Sequence, residues 1–290
     1  MWVESDQADI AMNRQTAPNE SESLKRDVQA YWDAHACGAS YAAGTELGDR
    51  LNAQAKTRYQ LEPYIPEFAG FENAFGKDVL EIGVGMGADH HEWAKAKPRS
   101  LTGVDLTQAA TRFTSQRLAL YGLKSNLCQG DAENLPYKDN SFDLIYSWGV
   151  LHHSPDTPRA INEVYRVLRP GGIARIMIYH RFSVMGYMLW GRFALAAGRP
   201  WRSLTELFAC HLESPGTKAY TINEARQMCF RFSHARIRPL LSMGDLLQGN
   251  VGERKHRSLL LKVVKGLWPR WLIKAFLQSQ GSNLLIELRK

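Results

Sequence analysis

Cysteine is scarce in this 290-residue chain: there are four, Cys37, Cys128, Cys210 and Cys229, and no two form a C-x-x-C pair. So few and so scattered, they exclude a disulfide framework, and a reducing, cytoplasmic compartment is expected. The opening MWVESDQADIAMN carries acidic residues where a secretion signal would be basic and has no apolar stretch, so nothing in it reads as a leader. Long apolar runs are missing too. The most hydrophobic segment, Val184 to Gly198, contains Arg192 and falls short of the roughly 20 residues that span a bilayer, so it reads as a buried or interfacial helix. Acidic residues are sparse in the last third: residues 181–290 hold 18 Lys and Arg against 6 Asp and Glu, whereas residues 1–180 hold 18 against 23. A basic C-terminal third suits an anionic substrate, a membrane surface or nucleic acid, or is simply a solvated face.

What is present is an alternation of short β-branched runs with amphipathic stretches. DVLEIGV, SLTGVDL, NLCQGDA, FDLIYSW and IARIMIY read as strands, and HHEWAKA, AATRFTSQRLALYG and PRAINEVYRVL as the helices between them. Such alternation implies a mostly parallel sheet with helices on both faces. Residues 1–22 are polar and aperiodic and read as a mobile lead-in. A helix is expected from Ser23, with Ser23 as its N-cap and Gly38 as its stop, and a second near Arg58 to Phe68; residues 23–76 thus form a helical cap ahead of a core at 77–180. Ser154 reads as the N-cap of PRAINEVYRVL, which ends at Pro170-Gly171-Gly172. Residues 181–290 continue the same domain. There, TINEARQMCFRF opens on a Thr221/Glu224 capping box, and ARIRPLLS and NLLIELRK pair as antiparallel edge strands around helical insertions.

The most informative segment is VLEIGVGMGADH, in which an apolar strand runs into Gly83-x-Gly85-x-Gly87 and then a helix. The turn is tight and leaves bare backbone for a ligand. Asp105 stands at the next strand end, about 20 residues on, where a carboxylate can accept from ribose hydroxyls. Asp131, at a third strand end, could accept an adenine amine, with the amide of Ala132 beside it. The spacing is not the G-x-G-x-x-G of nicotinamide dinucleotide sites.

VLEIGVGMG, TGVDLT, GDAENLPYKDNSFDLIYSWGVLHH and VLRPGGIARIMIY resemble, in order and spacing, the motifs of class I S-adenosylmethionine-dependent methyltransferases, over about residues 77 to 180. They are most similar to the group that includes the ubiquinone and menaquinone methyltransferases. The resemblance implies a Rossmann-like seven-stranded sheet with an antiparallel last strand. It implies S-adenosyl-L-methionine as cofactor, held by Glu81, Gly83, Gly85 and Gly87 at its methionine part, by Asp105 at the ribose, and by Leu106, Asp131 and Ala132 at the adenine. The backbone near Ser147 and Trp148 would meet the methyl region. A tyrosine of the helical cap would close the site, with Tyr59 preferred over Tyr31 and Tyr41.

His152 and His153 are adjacent and point in different directions, so they cannot chelate one ion, and His90-His91 has the same defect; no metal is expected. An imidazole near the methyl group could serve as base or substrate-orienting group, or it could be a helix-entry residue bonded to backbone. His153, within His-Ser-Pro-Asp, matches the pattern that the resemblance places near substrate; His152 comes second and His180 third. The acceptor is expected to be a small molecule methylated on oxygen, nitrogen or carbon, amphipathic or anionic, taken under a lid rich in Trp, Phe, Met and Arg at residues 181–218. Leu267-Trp268-Pro269-Arg270-Trp271-Leu272 has an interfacial composition and could bring the C-terminal third to a membrane. Nucleic acid is disfavoured, since no recognisable module carries the basic residues. A nicotinamide-dependent oxidoreductase and a non-catalytic scaffold are the alternatives.

Overall fold

The structure, a computed structural model, describes residues 18–36, 38–248 and 265–290. Seven strands form one sheet: β1 (Asp78–Ile82), β2 (Ser100–Asp105), β3 (Asn126–Gln129), β4 (Phe142–Trp148), β5 (Leu168–Tyr179), β6 (His234–Leu240) and β7 (Asn283–Arg289), in the order β3-β2-β1-β4-β5-β7-β6. Strands β1 to β5 pair in parallel, and β7 lies antiparallel between β5 and β6. The expected Rossmann-like layout is therefore present. The chain reverses its direction of sheet growth at β1, between β2 and β4, so a crevice opens at the carboxyl ends of these strands.

Alternation along each strand divides the core. Leu80, Ile82, Ile145, Ile176 and Ile286 face α6 (Thr157–Val167) and α9 (Ile222–Met228), while Val79, Leu144, Tyr146, Met177 and Leu285 face Trp93 of α4 (Ala88–Lys95), Leu118 of α5 (Gln108–Leu120) and Phe68 of α3 (Ile65–Ala69). Each such side chain contributes about 1.5–3 kcal/mol on burial, which holds the helices to both faces. Near-continuous apolar strands follow from burial on both sides.

The helical cap departs from the boundaries expected. Helix α1 runs Pro18–Ala34, so Ser23 is interior and residues 18–22 are helical; residues 1–17 lie outside the described residues. Pro18 begins the helix and Glu20 sits in its first turn, which suits the positive end of the helix dipole better than a cap at Ser23. Gly38 is left-handed (φ 79°) but begins a short 3₁₀ turn, Ala39–Tyr41. The second element is two helices, α2 (Leu47–Leu61) and α3, because Pro63 cannot continue α2. At α6 the cap is Asp156, whose carboxylate accepts from the Arg159 amide at 3.0 Å, while the Ser154 hydroxyl donates to Glu133 instead. The Thr221/Glu224 capping box forms as expected, with bonds of 2.7 and 3.1 Å.

Beyond β5, α7 (Val184–Trp190) leads through a π-helical turn at Gly191–Leu195 to α8 (Leu204–His211), and α10 (Arg270–Phe276) precedes β7. Val184 and Met188 pack on Leu246, Trp268, Ile273 and Leu277, so α7 and α10 share a small core. Among the described residues no helix is long and apolar enough to cross a membrane.

Candidate active site

A cavity of about 820 Å³ lies at the carboxyl ends of β1, β2 and β4, closed above by α1 and α2. The glycine turn forms its floor. Gly83 has φ 85°, and a Cβ there would fall 2.1 Å from a methyl of Val150, so backbone and side chain both demand glycine. Gly87 heads α4 at φ 74°, where a Cβ would meet Thr114 of α5; it serves helix packing and does not line the cavity. The turn is tied to α2 by Arg117, 1% exposed, which donates to the carbonyls of Met86 (2.8 Å) and Leu51 (2.9 Å) and to Gln54 (2.7 Å). An arginine on a helix reads as surface in sequence, so nothing signalled this one.

Beside the turn stands a buried charge cluster. Asp89 accepts two bonds from Arg58, at 3.0 and 2.6 Å, and one each from the hydroxyls of Tyr59 and Tyr146 at 3.0 Å. Arg58 also meets Glu62 at 3.2 Å, and Trp148 Nε1 donates to Glu62 at 2.9 Å. Burial pushes the Glu62 carboxyl up. Tyr59, the preferred tyrosine of the cap, is thus spent on Asp89 and does not line the cavity. Tyr31, Tyr41 and Tyr64 do.

Glu81 lines the cavity and lies 2.8 Å from Nδ1 of the fully buried His90. The His90 Nε2 is 2.7 Å from Ser125 Oγ, whose own proton goes to the Leu101 carbonyl at 3.0 Å, so Nε2 carries hydrogen and donates. The Nδ1 then faces Glu81 across one proton. Burial, reinforced by Asp89, pushes Glu81 well up, and burial pushes His90 down to about 3, which puts that proton on Glu81.

Asp105 lines the cavity with most of its capacity already engaged. Its Oδ1 accepts from the amide and hydroxyl of Thr107, both at 2.9 Å, and its Oδ2 from the Gly85 amide at 3.1 Å. Of about four lone-pair sites on a carboxylate, one remains, on Oδ2. Burial pushes Asp105 up against these bonds. Asp131 Oδ2 takes Lys25 Nζ of α1 at 2.6 Å, and its Oδ1 takes the Glu133 amide at 2.9 Å. Lys25, which also reaches Glu133 at 3.1 Å, clasps the cap over the third strand end; the sequence showed it only as one more polar helical residue. Leu106, Ala132 and Trp148 line the same cavity. Ser147 does not: it is wholly buried and its hydroxyl donates to the Ile82 carbonyl at 3.0 Å.

The three histidines separate. His153 lines the cavity, its Nδ1 2.8 Å from Ser214 Oγ and 3.1 Å from Thr217 Oγ1, and its Nε2 3.5 Å from Glu213. His152 is fully buried with its ring 4.1 Å from Tyr179, and neither ring nitrogen has a hydrogen-bond partner among the described residues. Burial and the neighbouring His153 push it far below the usual imidazole range, and it does not reach the cavity. His180 holds the Gly281 carbonyl at 3.0 Å, is pushed down by burial, and does not line the cavity either. Neither His152 nor His180 therefore stands where a substrate could meet it. The wall around His153 is apolar, with Trp32, Met177, Tyr179, Met185 and Met243, and Glu213, from the loop after α8, was not singled out by any motif.

Charge distinguishes the ligands this cavity can take. Beside the protonated Glu81, its described lining residues include five carboxyl groups, Glu62, Asp89, Asp105, Asp131 and Glu213, against two cations, Lys25 and Arg58. Such a lining favours a cationic ligand and opposes a pyrophosphate.

Residues 80–176 match the family model described as "Methyltransferase domain". A phthiotriol/phenolphthiotriol dimycocerosates methyltransferase of Mycobacterium leprae is 42% identical over 101 residues, 34% of this chain and 37% of that protein. A fatty-acid O-methyltransferase of Mycolicibacterium smegmatis is 36% identical over 125 residues, 43% of each chain. The chain thus aligns with less than half the length of these relatives. In fold it is similar to a chain of a solved complex containing the Haloferax volcanii Trm112 methyltransferase activator, with a TM-score of 0.51 and 16% identity over 84% of this chain and 97% of that one. Strand order and glycine turn agree with this fold, and over residues 80–176 the chain matches the methyltransferase-domain family.

Proposed function

We propose that the chain transfers the methyl group of S-adenosylmethionine to an oxygen of a neutral, apolar small molecule. The observation that carries this is the cavity's excess of carboxyl groups, set on a glycine turn and continuous with an apolar chamber. A sulfonium and an α-ammonium are the cations such a lining calls for, while the pyrophosphate of a dinucleotide would face Asp105 and Asp131. The donor set fits the cofactor: Glu81 and the turn at Gly83 and Gly85 for its amino-acid end, the remaining Oδ2 site of Asp105 for one ribose hydroxyl, and Leu106, Asp131 and Ala132 for the base. Bound there, the cofactor supplies an electrophilic methyl group.

The chain's own part is positioning and proton removal. Trp32, Met177, Tyr179 and Met185 exclude water and hold an apolar acceptor beside Trp148 and Gly149, so that its oxygen can approach in line. Methylation of the acceptor oxygen by a sulfonium held there would require its hydroxyl proton to leave. His153 Nε2 is the acceptor for it. The role requires the tautomer in which Nδ1–H donates to the hydroxyls of Ser214 at 2.8 Å and Thr217 at 3.1 Å, with the Thr217 proton on the Ser214 carbonyl at 2.7 Å, so that Nε2 keeps its lone pair beside Glu213. Glu213 then steadies the imidazolium. Glu213 also makes an anionic acceptor, one of the classes that composition left open, a poor fit. The name of one relative, a fatty-acid O-methyltransferase, supports methylation on oxygen of a molecule with a long apolar chain, and an acceptor of that kind accords with contact between the C-terminal third and a membrane.

Calorimetric titration with S-adenosylmethionine and with NAD tests the cofactor; saturable binding of the first and none of the second is expected, and the reverse overturns the proposal. His153→Gln should keep cofactor affinity and lower labelled-methyl transfer to long-chain alcohol probes by about 10²–10⁴-fold. Turnover within a few-fold of the parent would assign His153 to packing.

A further inference from the structure

We infer that the face formed by the π-turn segment after β5 and the segment containing α10 docks on an anionic lipid bilayer. The two segments are far apart in sequence and are brought together by the small core of Val184, Met188, Trp268 and Ile273. Around that core the chain leaves large apolar side chains in solvent: Trp201 is 77% exposed, Leu267 79%, Trp271 70% and Phe276 74%, with Tyr187 and Leu195 also exposed. Scattered single apolar residues need no explanation, but this many on two packed segments do. Tryptophan and phenylalanine beside arginine and lysine is the composition that settles at the headgroup level.

Charge selects the occupant. Residues 181–211 and 265–277 carry Arg181, Arg192, Arg199, Arg202, Lys265, Arg270 and Lys274 against a single carboxylate, Glu206; Glu206 pairs with Arg202 at 2.8 Å and Arg181 with Glu224 at 2.9 Å, which leaves a surplus of five positive charges beyond these two pairs. A neutral protein groove would not need this surplus, and a nucleic acid would not reward exposed Leu267 and Phe276. Anionic headgroups over an acyl layer answer both features, each basic side chain near the surface adding about 1 kcal/mol.

The same segments wall the cavity. Met185 of α7 lines it, as do Ser242, Met243 and Gly244 of the turn that α10 clamps through Trp268 Nε1 to the Asp245 carbonyl at 2.9 Å and Arg270 Nε to the Leu246 carbonyl at 2.9 Å. Docking on this face would bring the apolar chamber next to the bilayer, so the acceptor is taken from the lipid phase. That second step rests on the methyl-transfer reading; the surface contact does not.

Sedimentation of the full chain with vesicles tests the contact, using phosphatidylcholine alone and phosphatidylcholine mixed with phosphatidylglycerol. The chain should sediment with the mixed vesicles, less so as salt rises, and weakly with phosphatidylcholine alone. The variant Trp271→Glu/Phe276→Glu should lose about tenfold or more in vesicle affinity while keeping the parent's melting temperature and S-adenosylmethionine affinity, because neither side chain lines the cavity. Lys274→Glu should lessen the preference for the mixed vesicles. Equal sedimentation of parent and double variant, absence of binding to mixed vesicles at low salt, or a dimer in ultracentrifugation that the double variant dissociates would each overturn the inference. Failure of S-adenosylmethionine to bind the parent would sink the methyl-transfer reading and leave the vesicle result standing.

Discussion

The Glu81–His90 pair gives the folded chain a proton that the unfolded chain does not keep, and this sets a pH window for stability. The ordinary values are 4.5 for the glutamate and 6.5 for the histidine. Between them the unfolded chain binds one proton, on the imidazole, and the folded pair binds one, on Glu81, so the pair contributes its full stability there. Above 6.5 the unfolded chain loses its proton while the raised Glu81 keeps it, so stability falls as pH rises, by up to about 1.4 kcal/mol per pH unit. Below 4.5 the unfolded chain binds two protons, and the folded pair stays at one until His90 titrates at about 3, so stability falls with acid as well. Glu81→Gln removes the upper limb, because an amide N–H can donate to His90 Nδ1 without titrating. Urea unfolding across this range should show the parent losing stability relative to Glu81→Gln as pH rises above 6.5. Parallel profiles for the two proteins would refute the reasoning: Glu81 would then be ionised, with Nδ1–H donating to it and the Ser125 hydroxyl turned toward Nε2.

Two further outcomes are measurable by the same unfolding assay. Gly83→Ala, with φ 85° and a Cβ 2.1 Å from Val150, should cost about 2–4 kcal/mol in backbone strain and displaced packing, and a variant as stable as the parent would contradict the turn described. Arg58→Met leaves the Asp89 carboxylate buried with only two tyrosine hydroxyls, a loss of about 3–5 kcal/mol. Adding Asp89→Asn to that variant should recover part of the loss, and no recovery would argue against the pairing.

Much of the fold was legible because local pattern and global fold agree. Apolar runs such as DVLEI and FDLIYSW are buried on both faces, and the turn Gly83-x-Gly85-x-Gly87 has three positive φ angles that glycine adopts freely. The cap was less legible, since polar helices like α1 carry few signals at their ends: Ser23 and Ser154 were placed from capping preferences that neighbouring residues satisfied better, and the helix expected over Arg58 to Phe68 starts at Leu47 and is divided at Pro63. In the candidate site, Glu81, Asp105, Asp131 and His153 reach the cavity as their strand-end positions implied. Tyr59, Ser147, His152 and His180 sit one position or one face away, a difference that strand-end placement cannot resolve.

By itself, then, the sequence determined the sheet, its glycine turn and the carboxylates at three successive strand ends, because each depends on residues within a strand and the loop that follows. The tertiary structure decided where charge is paired and where it is left. Arg58 and Lys25 reach Asp89 and Asp131 from helices 31 and 106 residues away. Glu213 comes to His153 from a loop beyond α8, and α10 comes to α7 across β6. Those partners are far apart along the chain, so only packing brings them within the few ångströms over which a hydrogen bond, an ion pair or a desolvated carboxyl takes its character.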